Sequence, residues 1–313
     1  MNRKENFLNH IAQTNETPYL IDIEKAEGIY IYDKSGKKYM DMIAGVAVNN
    51  IGHRHPKVID AIKNQIDKHL HVMVYGEFIQ DSQLDLAQNL NHFLPDTLNC
   101  HYIVNSGTEA NEGAVKLAKR YTGRSKIISF KKSYHGSTHG SLSISGNEEK
   151  KYNFRPLLPL IEHIEFDNIS DLNYIDDTVA AVIVEPIQGD AGVRIPSLDF
   201  MQKLREQCTK NGALLIFDEV QTGIGRTGKM FAFEHFNTTP DILVLGKGLG
   251  GGMSIGSFTS SKEIMQSLTN NPMLGHITTF GGHPVNCAAA SATLEVLKNE
   301  NYINEAEKKG ALL

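Results

Sequence analysis

The chain of 313 residues is 41% hydrophobic and 21% charged, a globular composition long enough for one large α/β core or two domains. Its 31 basic and 36 acidic side chains give a formal net charge of −5 with no basic block, which argues against nucleic acid and anionic membrane as partners. Cys100, Cys208 and Cys287 are scattered, odd in number and without CxxC spacing, which fits a reduced, cytoplasmic setting better than a disulfide framework or a metal site.

The opening stretch MNRKENFLNHIAQTN has no apolar h-region, so no secretory signal is expected there. No apolar run approaches the ~18–20 residues that span a bilayer. An amphipathic helix is predicted over about 4–12, followed by a β-hairpin in GIYIYD and 38–42 around the Ser35-Gly36 turn. Residues 1–50 read as the N-terminal segment of a small domain. AGVAVNNIGHRHP then reads as irregular chain, in which His53 and His55 have no third ligand near them and read as loop histidines. Pro56 opens a predicted helix to about 70, with Val58, Ile59, Ile62 and Ile66 at helical spacing, and a second helix covers about 80–93.

Apolar runs follow at 102–104, 127–130, 180–184, 214–217, 242–245 and 254–259, with helical segments at 109–121 and 198–211 among them. That alternation predicts an α/β fold, a mostly parallel sheet covered by helices, over residues 51–285. Residues 286–313, entered on a long helix, read as the start of a further part of the small domain.

Every run but the last empties into a polar motif. Asn105-Ser106-Gly107-Thr108-Glu109 caps a helix, and such a strand-to-helix junction also aims backbone N–H groups at any phosphate placed there. Tyr134, in KKSYHGSTHGS, could lie flat on an aromatic ring or sit on an exposed loop. Glu185-Pro186-Ile187-Gln188-Gly189-Asp190 follows the next run, and Thr278-Thr279-Phe280-Gly281-Gly282 precedes the long helix.

The runs 214–217 and 242–245 end in Asp218 and, 29 residues later, in Gly-flanked Lys247. Singly, these read as a loop cap and a surface lysine. As ends of two parallel strands they bring a carboxylate and an amine to one crevice. A lysine short of water loses its proton readily and attacks carbonyls, and an acid can hold the proton of a heterocyclic nitrogen. Pyridoxal phosphate makes both demands. Gln221, three residues past the acid, can donate to a phenolic oxygen. Gly223–Gly228 matches GxGxxG but starts five residues beyond its run and opens no clear helix, and Gly246-Lys247-Gly248 lacks the Ser or Thr of a P-loop.

The motifs SGTEANEGAVKLAKR, YHGSTHGSLS, EPIQG, LLIFDEVQTGIGRTG, DILVLGKGLGGG and TTFGGHPVNCAAA, in this order, resemble the class III pyridoxal-phosphate aminotransferases, and among them the acetylornithine/ornithine branch. The resemblance spans about residues 20–300 and implies the PLP-dependent transferase fold type I. It implies that Lys247 is the Schiff-base lysine and proton shuttle, that Asp218 pairs with the pyridinium nitrogen, and that Gln221 contacts the ring oxygen. Ser106, Gly107 and Thr108 would hold the phosphate, Tyr134 would stack on the ring, and Glu185 would be the acid near it. Thr279 would reach the cofactor of the partner in a homodimer. Asp190 stands where the ornithine branch gates a substrate-binding arginine.

Two departures stand out. Ser137 occupies the place of an arginine that grips a substrate carboxylate, so the strongest contact of that kind is missing there. The chain also stops at Leu313, short of family length, which reads as a truncation that leaves apolar surface uncovered. The implied reaction moves an amino group from an ω-amino compound of acetylornithine, ornithine or 4-aminobutyrate type to 2-oxoglutarate by ping-pong chemistry. The rivals are a same-fold aminomutase or epimerase, an inactive truncated protein of the same fold, and a dinucleotide-dependent oxidoreductase.

Overall fold

The computed structural model describes residues 2–312. Seven strands form the central sheet: β4 (Cys100–Val104), β5 (Lys126–Phe130), β6 (Ile161–Ile164), β7 (Val179–Val184), β8 (Leu214–Asp218), β9 (Ile242–Leu245) and β10 (Gly256–Ser260). Their spatial order is β4-β10-β9-β8-β7-β5-β6. The pairs from β9 across to β6 are parallel, whereas β10 runs antiparallel to both β9 and β4. The expectation of a mostly parallel, helix-covered sheet holds.

The apolar runs lack alternation because both faces are covered. Val182, Val184, Leu215, Phe217, Leu243 and Leu245 belong to one core cluster. Their neighbours in sequence, Ala181, Ile183, Leu214, Ile216, Ile242 and Val244, belong to the other. With period-2 geometry each strand sends alternate side chains to opposite faces, so a strand buried on both reads as unbroken hydrophobic text. The helix Leu198–Asn211 is capped by Ser197, whose hydroxyl accepts from Phe200 N–H at 3.2 Å, and ends at left-handed Gly212.

Two strands escaped the pattern reading. A separate antiparallel sheet has three strands, β1 (Ile23–Glu27), β2 (Tyr30–Asp33) and β3 (Lys38–Met40), where a two-stranded hairpin was expected. At the far edge of the main sheet, β6 is the other addition. The long helix at the C-terminal side runs over Pro284–Asn299 and packs on the helices Pro56–Lys68 and Asp81–Phe93. Its Cys287, Leu294 and Leu297 join the first core cluster. His53 Nε2 lies 2.7 Å from Asp41 Oδ2, and among the described residues no acid, histidine and cysteine group could hold a metal. No helix among them is long and apolar enough to cross a membrane.

Helix Gly107–Thr122 lies close against β10. A Cβ on Gly113 would stand 2.3 Å from the Phe258 ring, which is itself stacked on Tyr102 at 4.8 Å and has little room to retreat. Beyond β8, the buried Glu219 accepts hydrogen bonds from Ala232 N–H (2.6 Å) and Phe233 N–H (2.8 Å), pinning the turn Ala232–Phe236. Burial pushes this carboxyl up to about 8, against the pull of those two N–H donors.

Two outcomes follow from this packing. Gly113→Ala would gain helix propensity on an open helix but should destabilise this protein by about 1–3 kcal/mol through overpacking, seen as a lower Tm. An unchanged or raised Tm would refute the close contact. For Glu219 the folded-state pKa lies above its ordinary 4.5, so its stabilising contribution is full below about 4.5 and is lost as pH rises through about 8. Denaturant titrations should therefore show a shallower loss of stability over that window in Glu219→Gln than in the wild type.

Candidate active site

Asp218 closes β8 and sits in register with Val244 of β9, the strand that leads through Gly246 to Lys247. The two parallel strands thus deliver acid and amine to the same edge of the sheet, as open α/β sheets do with their ligand-binding groups. Lys247 has a left-handed backbone, φ +41°, a strained conformation for a residue with a side chain. Its two glycine neighbours make that turn possible by being small. A Cβ on Gly246 would crowd the Gly107 backbone at 3.2 Å, and one on Gly248 would strike the Asn50 side chain at 2.3 Å.

Burial is the largest influence on the Lys247 amine and lowers its pKa; the negative charges of Asp218 and Glu185 oppose it, and Arg226 adds to the lowering. Nζ donates to Gln221 Oε1 at 3.1 Å. The amine is therefore easier to deprotonate than a surface lysine while still tethered by one hydrogen bond.

Asp218 is held by three groups. Asn111 Nδ2 donates to its Oδ2 at 2.7 Å, His135 Nδ1 lies 2.7 Å from the same oxygen, and Val220 N–H donates to Oδ1 at 3.0 Å. Asn111 and His135 are both buried, and Asn111 also ties His135 through its carbonyl at 2.8 Å. Sequence reading missed these two. The signal available was positional: Asn111 falls one turn into the helix that Ser106 caps, and His135 follows Tyr134 directly. Asn111 Oδ1 and His135 Nε2 are buried with no hydrogen-bond partner.

The remaining expected residues arrive from other strand ends. Glu185 follows β7, is buried, and accepts from Tyr134 N–H (2.9 Å) and Gly189 N–H (3.3 Å). Burial raises its carboxyl to about 7, with His135 opposing and Asp218 reinforcing the shift. Gly107 and Thr108 open the helix after β4, and Ser106 caps it, its hydroxyl accepting from Glu109 N–H at 3.3 Å. A side chain at 107 would collide with Val220, 2.6 Å away, so only glycine leaves the helix N-terminus bare.

These pieces enclose a cleft of about 320 Å3 lined by Lys247, Asp218, Gln221, Glu185, Tyr134 and Ser137, with Gly107 and Thr108 at one end. Three expected residues do not line it. Ser106 spends its side chain on the cap. Asp190 pairs with Lys150 at 2.6 Å. Thr279 is exposed in the turn beyond Thr278, whose hydroxyl accepts from Asn105 Nδ2 at 2.9 Å. The GxGxxG stretch lies in turns that open no α-helix, and Arg226 within it donates to Ala47 O at 2.9 Å and to the Asn50 side chain.

The donor set fits a flat, phosphate-bearing heterocycle with a carbonyl. A bare helix N-terminus suits an anion, a buried carboxylate with fixed partners suits a ring N–H, and a desolvated amine suits the carbonyl.

Comparison with known proteins agrees with that chemistry. The family model for class-III aminotransferases matches residues 11–313. The acetylornithine aminotransferase of Methanopyrus kandleri is 42% identical over 293 residues, covering 93% of this chain and 74% of that protein. The LysW-aminoadipate semialdehyde/glutamate semialdehyde transaminase of Sulfolobus acidocaldarius is 41% identical over 290 residues, with the same coverage, 93% and 74%. Among solved structures, the ornithine aminotransferase of Toxoplasma gondii, with partial occupancy of PLP at its active site, superposes with a TM-score of 0.91. It is 32% identical and covers 99% of this chain and 73% of that one. A match this long and this even makes the chain a member of the class-III aminotransferase family.

Proposed function

We propose that this protein is a PLP-dependent transaminase that takes the amino group of an ω-amino compound, of acetylornithine, ornithine or 4-aminobutyrate type, and passes it to 2-oxoglutarate. The observation that carries the reading is the convergence of a desolvated Lys247 amine and a triply held Asp218 carboxylate on one cleft. The names of the relatives, an acetylornithine aminotransferase and an aminoadipate semialdehyde/glutamate semialdehyde transaminase, support the substrate class.

When bound, pyridoxal 5'-phosphate supplies an aldehyde for amines and a protonated ring nitrogen that draws electrons away from a reacting carbon. Asp218 would accept the ring N–H, and Asn111, His135 and Val220 would hold that carboxylate against rotation. Gly107 and Thr108 would meet the phosphate with N–H groups at the helix N-terminus, with Ser106 keeping that end of the helix fixed. Tyr134 would cover one face of the ring, Glu185 would stand near it, and Gln221 would donate to the ring oxygen. Lys247 Nζ, in its neutral form, would hold the aldehyde at rest. During turnover the same nitrogen would take up and return a proton.

The exposed Thr279, set apart from its own cleft, is assigned to the phosphate of a partner subunit in a homodimer. Ser137, on the cleft wall within 3.1 Å of Tyr134 Oη, replaces a cation with a hydroxyl and so shifts donor recognition away from that point. The free cysteines are consistent with a cytoplasmic enzyme.

Three measurements test the reading. Borohydride reduction of the holoenzyme followed by peptide mapping should place a pyridoxyl group on Lys247, and Lys247→Ala should lose both that adduct and the cofactor's absorption band. Asp218→Asn should retain PLP while its rate falls by roughly a hundredfold or more, since a fixed charge opposite the ring nitrogen is gone. Full activity in that variant would remove Asp218 from the mechanism. A donor screen should show no more than one equivalent of product per site without a 2-oxo acid; repeated turnover without one would favour an aminomutase.

A further inference from the structure

At the phosphate end of the cleft, the Thr108 side chain turns toward the cleft wall. Its Oγ1 lies 2.8 Å from Thr138 Oγ1, and Thr138 Oγ1 in turn lies 2.6 Å from Glu112 Oε1. The same Glu112 oxygen accepts from Ser141 N–H at 3.0 Å, and Ser141 Oγ donates to Thr108 O at 2.9 Å. Thr108 and Glu112 stand one turn apart on helix Gly107–Thr122, while Thr138 and Ser141 belong to the stretch that follows Ser137. These side chains stitch the helix start to the part of the wall formed by Gly136 and Ser137. The fit is close at Gly136, φ +129°, where any Cβ would collide with the Thr108 hydroxyl.

Counting hydrogens fixes the direction of this chain of hydroxyls. A threonine hydroxyl carries one hydrogen and a carboxylate carries none. Thr138 therefore donates to Glu112, which can only accept. That spends the Thr138 hydrogen, so the 2.8 Å contact between the two threonines uses the Thr108 hydrogen. The Thr138 N–H, 3.4 Å from Thr108 Oγ1, takes one of that oxygen's lone pairs. The Thr108 hydroxyl has then no hydrogen left for an anion in the cleft, whereas the Thr108 N–H, at the open end of its helix, has.

We infer that Glu112 and Thr138 are positioning residues that turn the Thr108 hydroxyl hydrogen away from the phosphate end of the cleft, so that at Thr108 the phosphate meets the backbone N–H and not the side chain. The inference rests on the PLP reading for the identity of the anion. One residue thereby does two separate jobs: its N–H receives the cofactor, and its hydroxyl fixes the wall that carries Ser137 against the helix. No bond is made or broken; the assignment concerns only where hydrogens point.

The affinity of pyridoxamine 5'-phosphate relative to pyridoxamine, measured by calorimetry on the full chain freed of cofactor, isolates the share of the phosphate. Thr108→Ala should leave that ratio within about twofold of the wild type, since the lost hydrogen was not aimed at the phosphate. Thr138→Val removes the acceptor, frees the Thr108 hydrogen and should raise the ratio by about fivefold, the gain of a charge-assisted hydrogen bond. Thr138→Ser keeps the hydroxyl and should show the wild-type ratio. Combining Thr108→Ala with Thr138→Val should abolish the gain. A role in packing alone would produce losses, not a gain that depends on Thr108. A tenfold loss in Thr108→Ala, no gain in Thr138→Val, or a gain that survives in the double variant would overturn the inference. Should Thr138→Val fail to fold, neutron diffraction from deuterium-exchanged wild-type crystals decides the same point. Deuterium on Thr138 Oγ1 toward Glu112 and on Thr108 Oγ1 toward Thr138 supports the inference, and any other placement overturns it. A wild type that binds both compounds equally would count against the PLP reading instead, and the deuterium positions would still decide the roles of Glu112 and Thr138.

Discussion

Desolvation governs this site. At the ends of β7, β8 and β9 the site gathers two buried acids, Glu185 and Asp218, and a lysine that burial acts on most. Lys247 moves toward its neutral form because burial outweighs the two carboxylates opposite it. Glu185 moves toward its protonated form for the same reason. Asp218 has three hydrogen-bonding groups around its oxygens, which fix its position. Burial thus moves the amine and the Glu185 carboxyl alike toward their neutral forms.

The sheet makes that sorting possible. Its continuous apolar strands supply a rigid, dry floor, so charged residues can be confined to the single edge where the strands end. The glycines around Lys247 and the glycine that opens helix Gly107–Thr122 serve a common end. A Cβ at 246 would crowd the Gly107 backbone and one at 107 would strike Val220, so glycine at both positions keeps the cleft free of side chains that would fill it. The strain in the Lys247 backbone is tolerated because β9 and the turn behind it over-determine its position.

Much of this was legible in the text of the chain, and the exceptions share a cause. The strands β7, β8 and β9 stand out because burial on both faces forbids polar residues. IEKAE of β1 and IEHI of β6 escaped because edge strands are partly wet, so they carry charges that break the apolar signal. In the site, Lys247, Asp218 and Glu185 announce themselves as charges at the ends of apolar runs. Asn111 and His135 do not, because their importance lies in a hydrogen bond to an acid 107 and 83 residues away in the chain. Local pattern carries no record of such distant pairings. Asp190 stands at the end of a motif, but the Lys150 that pairs with it lies 40 residues away in the chain, beyond the reach of any local pattern.

The antiparallel strand β10 bears on how the molecule is made. It lies between β4 and β9 and pairs Val104 with Gly256, so the helix start after β4 and the lysine turn after β9 are held side by side by a strand that comes late in the chain. A polypeptide emerging from the ribosome has its glycine-rich helix cap long before it has the lysine, and has the lysine before the strand that seats one beside the other. Contacts of such long sequence separation form slowly. The cofactor pocket is therefore a late product of synthesis, and a nascent chain halted before Ser260 would carry nearly all the motifs and no complete place to put the vitamin.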